Sequence, residues 1–194
     1  MKIPIGLKIK QAYLRQVGTQ NNKSNKGFTI LEVIIVMLII GILSAIAAPS
    51  WEAFITRQRT RTVNSQVLQA LQKAQNQAKL KKQSVEVIFY DPSTTPPIDP
   101  ALDPPEVDGI EYNLTANGEI KSGMVALVSG VCTDENCTAF NATPNVTFDY
   151  LGTVSQNNVP FIVKVSTPDD GLKRCVIVQT LLGGMRTAEG DDCP

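Results

Sequence analysis

The sequence contains no histidine in its 194 residues. That absence removes the Ser-His-Asp triad, the Cys-His pair and histidine-ligated zinc as readings of its chemistry. A glycine-rich phosphate loop and a nucleophile elbow are missing as well. Acid is absent from residues 1–27, which hold Lys2, Lys8, Lys10, Arg15, Lys23 and Lys26. Basic residues are scarce at the other end, where residues 83–194 carry five against sixteen acidic side chains. That part is a poor general binder of phosphate backbones, which need clustered Lys and Arg. The segment between, residues 28–82, holds seven basic and two acidic residues. The formal net charge of zero thus conceals a gradient, and a chain sorted in this way is not one uniform soluble domain.

Much of the apolar content sits in one block, Phe28 to Ala48, whose 21 residues include one charge, Glu32. A bilayer core is spanned by about 20 apolar residues as a helix. The block is therefore expected to cross a membrane. Lys23 and Lys26 before it place residues 1–27 on the cytoplasmic side by the positive-inside rule. A cleaved secretory signal is the competing reading, but the apolar core exceeds the usual 7 to about 15 residues, and Pro49 follows Ala47 and Ala48 at once. A plain signal anchor explains everything except Glu32. A carboxylate inside a membrane helix costs roughly 2.5 to 3.5 kcal/mol on insertion scales. Lying only four residues after Phe28, about 6 Å of rise, Glu32 can also stay near the headgroups. A cut before Phe28 would create an α-amino group on the same helix. In a bundle of related helices, the Glu32 of one subunit could neutralise that amine on the next.

The run Lys26-Gly27-Phe28-Thr29-Ile30-Leu31-Glu32 and its apolar helix resemble the class III signal of type IV pilins and type II secretion pseudopilins. The resemblance implies cleavage between Gly27 and Phe28 by a prepilin peptidase, N-methylation of Phe28 by the same enzyme, and an assembly role for Glu32 against a neighbouring amine. It also implies as partners other pilins or pseudopilins, an inner-membrane assembly platform and membrane lipid. The location implied is the bacterial inner membrane, leader cytoplasmic and head periplasmic, and then a pilus or pseudopilus. No cofactor is implied. Loss of the leader's six positive charges would leave the mature chain at −6.

Pro49 lacks a backbone donor and is expected to bend or loosen the helix. From Ser50 to Lys82 there is no Gly or Pro, and Val63, Val67, Ala70, Leu71, Ala74 and Ala78 recur at helical spacing on one face. Residues 49–82 are therefore read as a helical stem continuing into the head. Arg57, Arg59 and Arg61 lack aromatic interleaving and read as juxtamembrane or subunit-contact charge rather than as a nucleic-acid site. Lys79, Lys81 and Lys82 suit a helix C-terminus.

After Lys82 the period changes, and residues 83–194 read as a β-rich head. Val85 to Tyr90 is expected to be a largely buried strand. The Pro-rich loop 91–108, with six of the twelve prolines and five acids, is expected to be solvated and unpacked. Strands are expected at Ile110 to Leu114 and Glu119 to Lys121 around an Ala116-Asn117-Gly118 hairpin turn, then at Met124 to Ser129 and Val146 to Phe148. Others are expected at Phe161 to Val165, Lys173 to Gln179 and Met185 to Ala188. Sequential hairpins favour an α+β fold, an antiparallel sheet laid on the stem helix. Four stretches within the last 50 residues carry a second resemblance. Val146-Thr-Phe-Asp-Tyr-Leu-Gly152, the strand pair Phe161 to Val165 and Arg174 to Val178, and Gly183-Gly-Met-Arg-Thr187 resemble the C-terminal domain of GspH/FimT-type pseudopilins and minor pilins. A pilin-like fold is implied. Where that pattern often has a second Arg, Gly184 stands and Arg186 is left alone.

All four cysteines, Cys132, Cys137, Cys175 and Cys193, lie in the head. For an exported head disulfides are expected, with three pairings open. Cys132–Cys137 with Cys175–Cys193 is favoured. A four-thiolate zinc site is the rival, though the spacings lack paired CxxC knuckles. Asp169-Asp170 and Asp191-Asp192 read as turn and tail residues, not as catalytic dyads. The functional expectation is a non-enzymatic filament subunit. The alternative is a FimT-like minor pilin that captures DNA through Lys173, Arg174 and Arg186, against the acidic balance of the head. A membrane-anchored enzyme rests only on the abundance of carboxylates.

Overall fold

The computed structural model describes residues 27–90, 97–134, 137 and 140–194. Most of the expected leader, with Lys23 and Lys26, lies outside the described residues, as does 91–96 of the Pro-rich loop. The chain divides into two compact units, one ending at Ala45 and the other running from Ile46 to Pro194.

One helix, α1, runs from Ile30 to Lys81, inside the expected limits of Phe28 and Lys82. Thr29 starts it: its hydroxyl accepts the Glu32 backbone N–H at 3.2 Å, and its carbonyl accepts the Val33 N–H at 3.2 Å. A threonine there satisfies donors that the first turn otherwise leaves unpaired. Lys82 ends it by taking a left-handed φ of 56°, the conformation typical just past a helix C-terminus. Lys79 and Lys81 complement the negative end of the peptide dipoles.

In the first unit, the large apolar residues from Ile30 to Leu43 are all exposed, from 44% at Val33 to 82% at Ile30. Nothing within the described chain covers them. A helix that is apolar on every side normally lies inside a membrane or a larger core.

In the second unit, α1 turns one face inward. Val63, Val67, Ala70, Leu71, Ala74 and Ala78 are all fully buried, at the spacing the sequence displays. They join one core with two sheets. The first sheet has the order β3-β2-β1-β6, with β1 Val85–Ile88, β2 Glu106–Val107, β3 Ile110–Glu111 and β6 Asn145–Phe148. The second has the order β5-β4-β7-β8-β9, with β4 Ala126–Cys132, β5 Phe140–Ala142, β7 Phe161–Ser166, β8 Lys173–Val178 and β9 Met185–Glu189. Every pairing is antiparallel. Phe89 and Phe161 stack with ring centroids 6.2 Å apart and tie the two sheets together.

Among the described residues the head therefore holds two antiparallel sheets where one was expected, and three local expectations fail. Glu119 to Lys121 form no strand. Ala116, Asn117 and Gly118 all take positive φ, and the Thr115 carbonyl accepts the N–H groups of Gly118 and Ile120. The turn closes on itself and drops Leu114 and Ile120 into the core, so its flanks serve as anchors and not as a ladder. Ile110 to Leu114 shortens to the two residues of β3. The Pro-rich segment is packed in part: Ile98 and Val107 are buried, Ile98 bridges Leu127, and Glu106–Val107 forms β2 against β1. Burial of these two apolar side chains outweighs the solvating tendency of the surrounding prolines and acids.

The five-stranded sheet carries a second, smaller apolar cluster on its other face. Phe161, Val163, Val165, Val176 and Val178 point to the main core. Ile162, Cys175 and Ile177 point outward and are covered by Cys137 and Cys193.

Candidate functional site

Gly27, Phe28 and Thr29 precede the first helical residue, and all three are exposed. Phe28 is 82% exposed, and a Cβ placed on Gly27 would meet no atom within 4 Å. Among the described residues nothing covers the peptide bond between them. Glu32 is exposed in the first turn, where a carboxylate is favoured by the positive end of the helix. Thr29-x-x-Glu32 is also the spacing of a capping box. Of that box, the half in which the Thr29 hydroxyl accepts the Glu32 N–H is formed.

The two glycine motifs of the head meet at one side chain. Gln75, half-buried on α1, donates through Nε2 to the carbonyls of Gly152 and Leu182, both at 3.0 Å, and lies 3.2 Å from that of Gly183. The Val154 N–H donates to the Leu181 carbonyl at 2.8 Å. Gly183 has φ +73°, and a Cβ there would lie 2.7 Å from the Gly152 carbonyl oxygen. Both a left-handed backbone and a close backbone approach therefore require glycine at that position. Asp149 holds the other loop. Its carboxylate accepts the Thr153 hydroxyl at 2.6 Å and the N–H groups of Leu151 and Thr153 at 2.9 and 2.8 Å. These bonds, the Thr153 hydroxyl first, hold its carboxyl below the usual range. Gln75 carries no sequence signal of its own; the pair of turn glycines that it joins does.

Both cysteine pairs are closed. Cys132 is bonded to Cys137 with Cα atoms 4.9 Å apart, and Cys175 to Cys193 at 5.8 Å. With all four sulfurs in disulfides, the four-thiolate zinc site has no ligands. Among the described residues no group of acidic or cysteine side chains is arranged to hold a metal ion.

The three candidate DNA contacts do not form one patch. Arg174 and Val176 alternate onto the core-facing side of β8, and Arg174 pairs with Glu189. Lys173 and Arg186 lie on the opposite side, and Lys173 pairs with Asp170 at 2.8 Å. Lys164, opposite Cys175 in the register, shares that side. Burial lowers its pKa, the Lys173 charge adding to the effect and Asp170 opposing it. Arg57 and Arg61 on the stem are exposed, while Arg59 is half-buried in a groove with Ile55, Thr62, Glu119 and Ile120.

Residues 22–48 match the family described as the prokaryotic N-terminal methylation motif. Over 44 residues the chain is 43% identical to the type IV major alpha-pilin of Moraxella bovis, a stretch that is 23% of this chain and 28% of that relative. The chain thus matches little more than a quarter of the relative's length. Two crystal structures of the type IV minor pilin FimU from Pseudomonas aeruginosa (strain PAO1) were also matched. At 12% identity they give TM-scores of 0.40 and 0.42, covering 74% and 71% of this chain and 98% and 99% of theirs. The methylation motif and the uncovered apolar helix behind it point to a membrane-anchored chain. Among the described residues no single helix is long and apolar enough to cross a membrane, although Ile30–Ile46 and Trp51–Lys81 pass together on length and composition. By its N-terminal motif and the 44 residues it shares with that relative, the chain is similar to type IV pilins.

Proposed function

We propose that this chain is a minor pilin or pseudopilin, a structural subunit of a type IV pilus or a type II secretion pseudopilus. The observation that carries the reading is the methylation motif over residues 22–48, with Gly27 and Phe28 exposed just ahead of a capped apolar helix. On this reading a prepilin peptidase removes residues 1–27 and methylates the new Phe28 amine. Residues 28–48 then hold the subunit in the inner membrane with the head in the periplasm. Assembly transfers the apolar helix from lipid into a bundle of like helices, other pilins or pseudopilins, at a platform in that membrane.

Glu32 supplies register in that transfer. Desolvated among apolar helices, its carboxylate is costly unless a cation meets it. The Phe28 amine of a neighbouring subunit is a cation at the same depth, so axial positions that pair the two are preferred to those that do not.

Mass spectrometry of the chain expressed with a prepilin peptidase tests the reading. A methylated Phe28 N-terminus is expected, and it is lost when Gly27 is replaced. A trimmed, methylated Phe28 in that variant would sink the proposal. Glu32→Ala is expected to be cut and methylated but absent from sheared filaments.

A further inference from the structure

One face of the stem has no partner among the described residues. Trp51 is 66% exposed and Phe54 49%, with ring centroids 5.9 Å apart. Arg57 and Arg61 follow, also exposed. The steps from Trp51 to Phe54, Arg57 and Arg61 are three, three and four residues, which keeps all four within about 120° of arc on a helix. The buried face of the same helix, with Thr60, Val63 and Val67, points the other way. Two exposed aromatic rings at the base of a strongly acidic head are not accounted for by the core, the glycine loops or the disulfides.

We propose that Trp51, Phe54, Arg57 and Arg61 form a band that binds the headgroup layer of an anionic phospholipid bilayer and sets the depth of the unassembled subunit. The inference rests on the membrane-anchoring reading and adds to it a specific lipid-contact surface. Its chemistry follows from position and charge. Trp51 comes five residues after Ile46, the last exposed apolar residue of the first helical stretch. Amphipathic rings concentrate at the water interface of bilayers. The headgroup layer is roughly 5 to 8 Å thick on each side. Arg57 lies about 9 Å of rise beyond Trp51, within reach of phosphate because its long side chain can lie back along the helix. Arg guanidinium pairs with phosphate oxygens through two hydrogen bonds. Arg61, about 15 Å beyond Trp51, acts at longer range, within about a Debye length of the surface. Glu52 is the only acid between Pro49 and Lys82, so the band is net cationic while the head is acidic. The band thus attracts anionic lipid where the head is repelled.

The chain's one tryptophan is its own reporter. The full-length protein is reconstituted into phosphatidylcholine vesicles with and without phosphatidylglycerol, and vesicle association is checked by flotation. Trp51 fluorescence is quenched with lipids brominated near the headgroup or near the chain ends. Stronger quenching by the shallow bromines is expected, at every protein-to-lipid ratio, and deepened by phosphatidylglycerol. Arg57→Gln with Arg61→Gln should remove the phosphatidylglycerol effect while leaving flotation intact. A chain that floats with Trp51 open to aqueous iodide and untouched by brominated lipid overturns the band but not the anchor. A blue shift that appears only as the protein-to-lipid ratio rises overturns it in favour of a second copy. A chain that does not float overturns both.

Discussion

Gln75 offers the sharpest test of how the head is held on its stem. Its amide nitrogen lies 3.0 Å from the Gly152 and Leu182 carbonyls and 3.2 Å from that of Gly183, in two loops far apart in sequence. Two N–H groups serve three acceptors, so about two full hydrogen bonds are at stake. At roughly 0.5 to 1.5 kcal/mol net each, Gln75→Ala should cost about 1 to 3 kcal/mol. The lower half of that range is expected, because the Leu182 carbonyl is exposed and water can replace the amide there. For a chain of this size that lower half is a fall in Tm of about 2 to 8 °C. Gly183→Ala adds two terms. The left-handed φ of +73° costs an L side chain about 1 to 2 kcal/mol. The new Cβ must also displace the Gly152 carbonyl, 2.7 Å away. Gly118→Ala is the control, since Gly118 has φ +92° with nothing within 4 Å of a Cβ. The assay is thermal melting of the full chain in detergent, followed by near-ultraviolet circular dichroism. Gly183→Ala should lose at least about 1 kcal/mol more than Gly118→Ala, and in combination with Gln75→Ala the losses should be less than additive. A Gln75→Ala shift under about 1 °C, or equal costs at the two glycines, would refute the argument that the two loops are clasped to the helix.

Four further outcomes are expected. Replacing Cys175 and Cys193 together by Ala should cost about 3 kcal/mol, and replacing Cys132 and Cys137 about 2, because the first pair closes 18 residues and the second 5; urea unfolding gives the order, and the reverse order contradicts it. Leu71→Ala should cost about 2 to 5 kcal/mol and Leu80→Ala less than about 0.5, since one is fully buried and the other 83% exposed; chemical denaturation checks the contrast. The folded-state pKa of Asp149 is depressed, so its contribution is present above the ordinary carboxylate pKa and is lost as pH falls through the lower folded value. Melting from pH 6 down to 2 should therefore show a shallower acid decline in Asp149→Asn than in the parent. Lys81→Met should lower Tm by no more than a few degrees, since the 2.7 Å Lys81–Asp108 pair is exposed on both sides.

What the sequence displays depends on whether a signal is local and repeated or depends on distant partners. The buried stripe from Val63 to Ala78 is legible because six residues at one helical spacing report the same face. The strands β7 and β8 are legible because both runs are apolar on both sides, a consequence of a sheet buried by the core on one face and by the disulfides on the other. The hairpin at Asp108-Gly109 carries the strongest short turn signal, and both residues take positive φ, 51° and 79°, as a two-residue hairpin turn requires. It is obscured by the prolines around it. The Ala116-Asn117-Gly118 turn shows the opposite error: local turn chemistry is read correctly, but whether its flanks pair depends on partners that the turn does not specify. Gln75 is illegible for the same reason, since its three acceptors lie 77 to 108 residues away.

The same helix carries two apolar patterns, and their difference argues for two environments. From Ile30 to Ile46 Ile, Leu, Val and Met lie on every side, interrupted by Glu32, Gly41, Ser44 and Ala45, with nothing among the described residues to cover them. From Val63 to Ala78 it is Val, Ala and Leu on one side only, all buried at once by the two sheets. A soluble fold needs the second pattern and cannot use the first, because burying one stripe leaves the rest in water. A membrane, or a bundle of like helices, needs the first and gains nothing from the second. Small residues on the buried stripe let the sheets approach α1 closely, whereas the bulky residues of the upper segment present a broad apolar surface to lipid or to neighbouring helices. The helix therefore already separates anchoring from head packing at the level of side-chain pattern. On the proposed assembly, the apolar helix would exchange lipid for neighbouring helices without disturbing the residues that hold the head together.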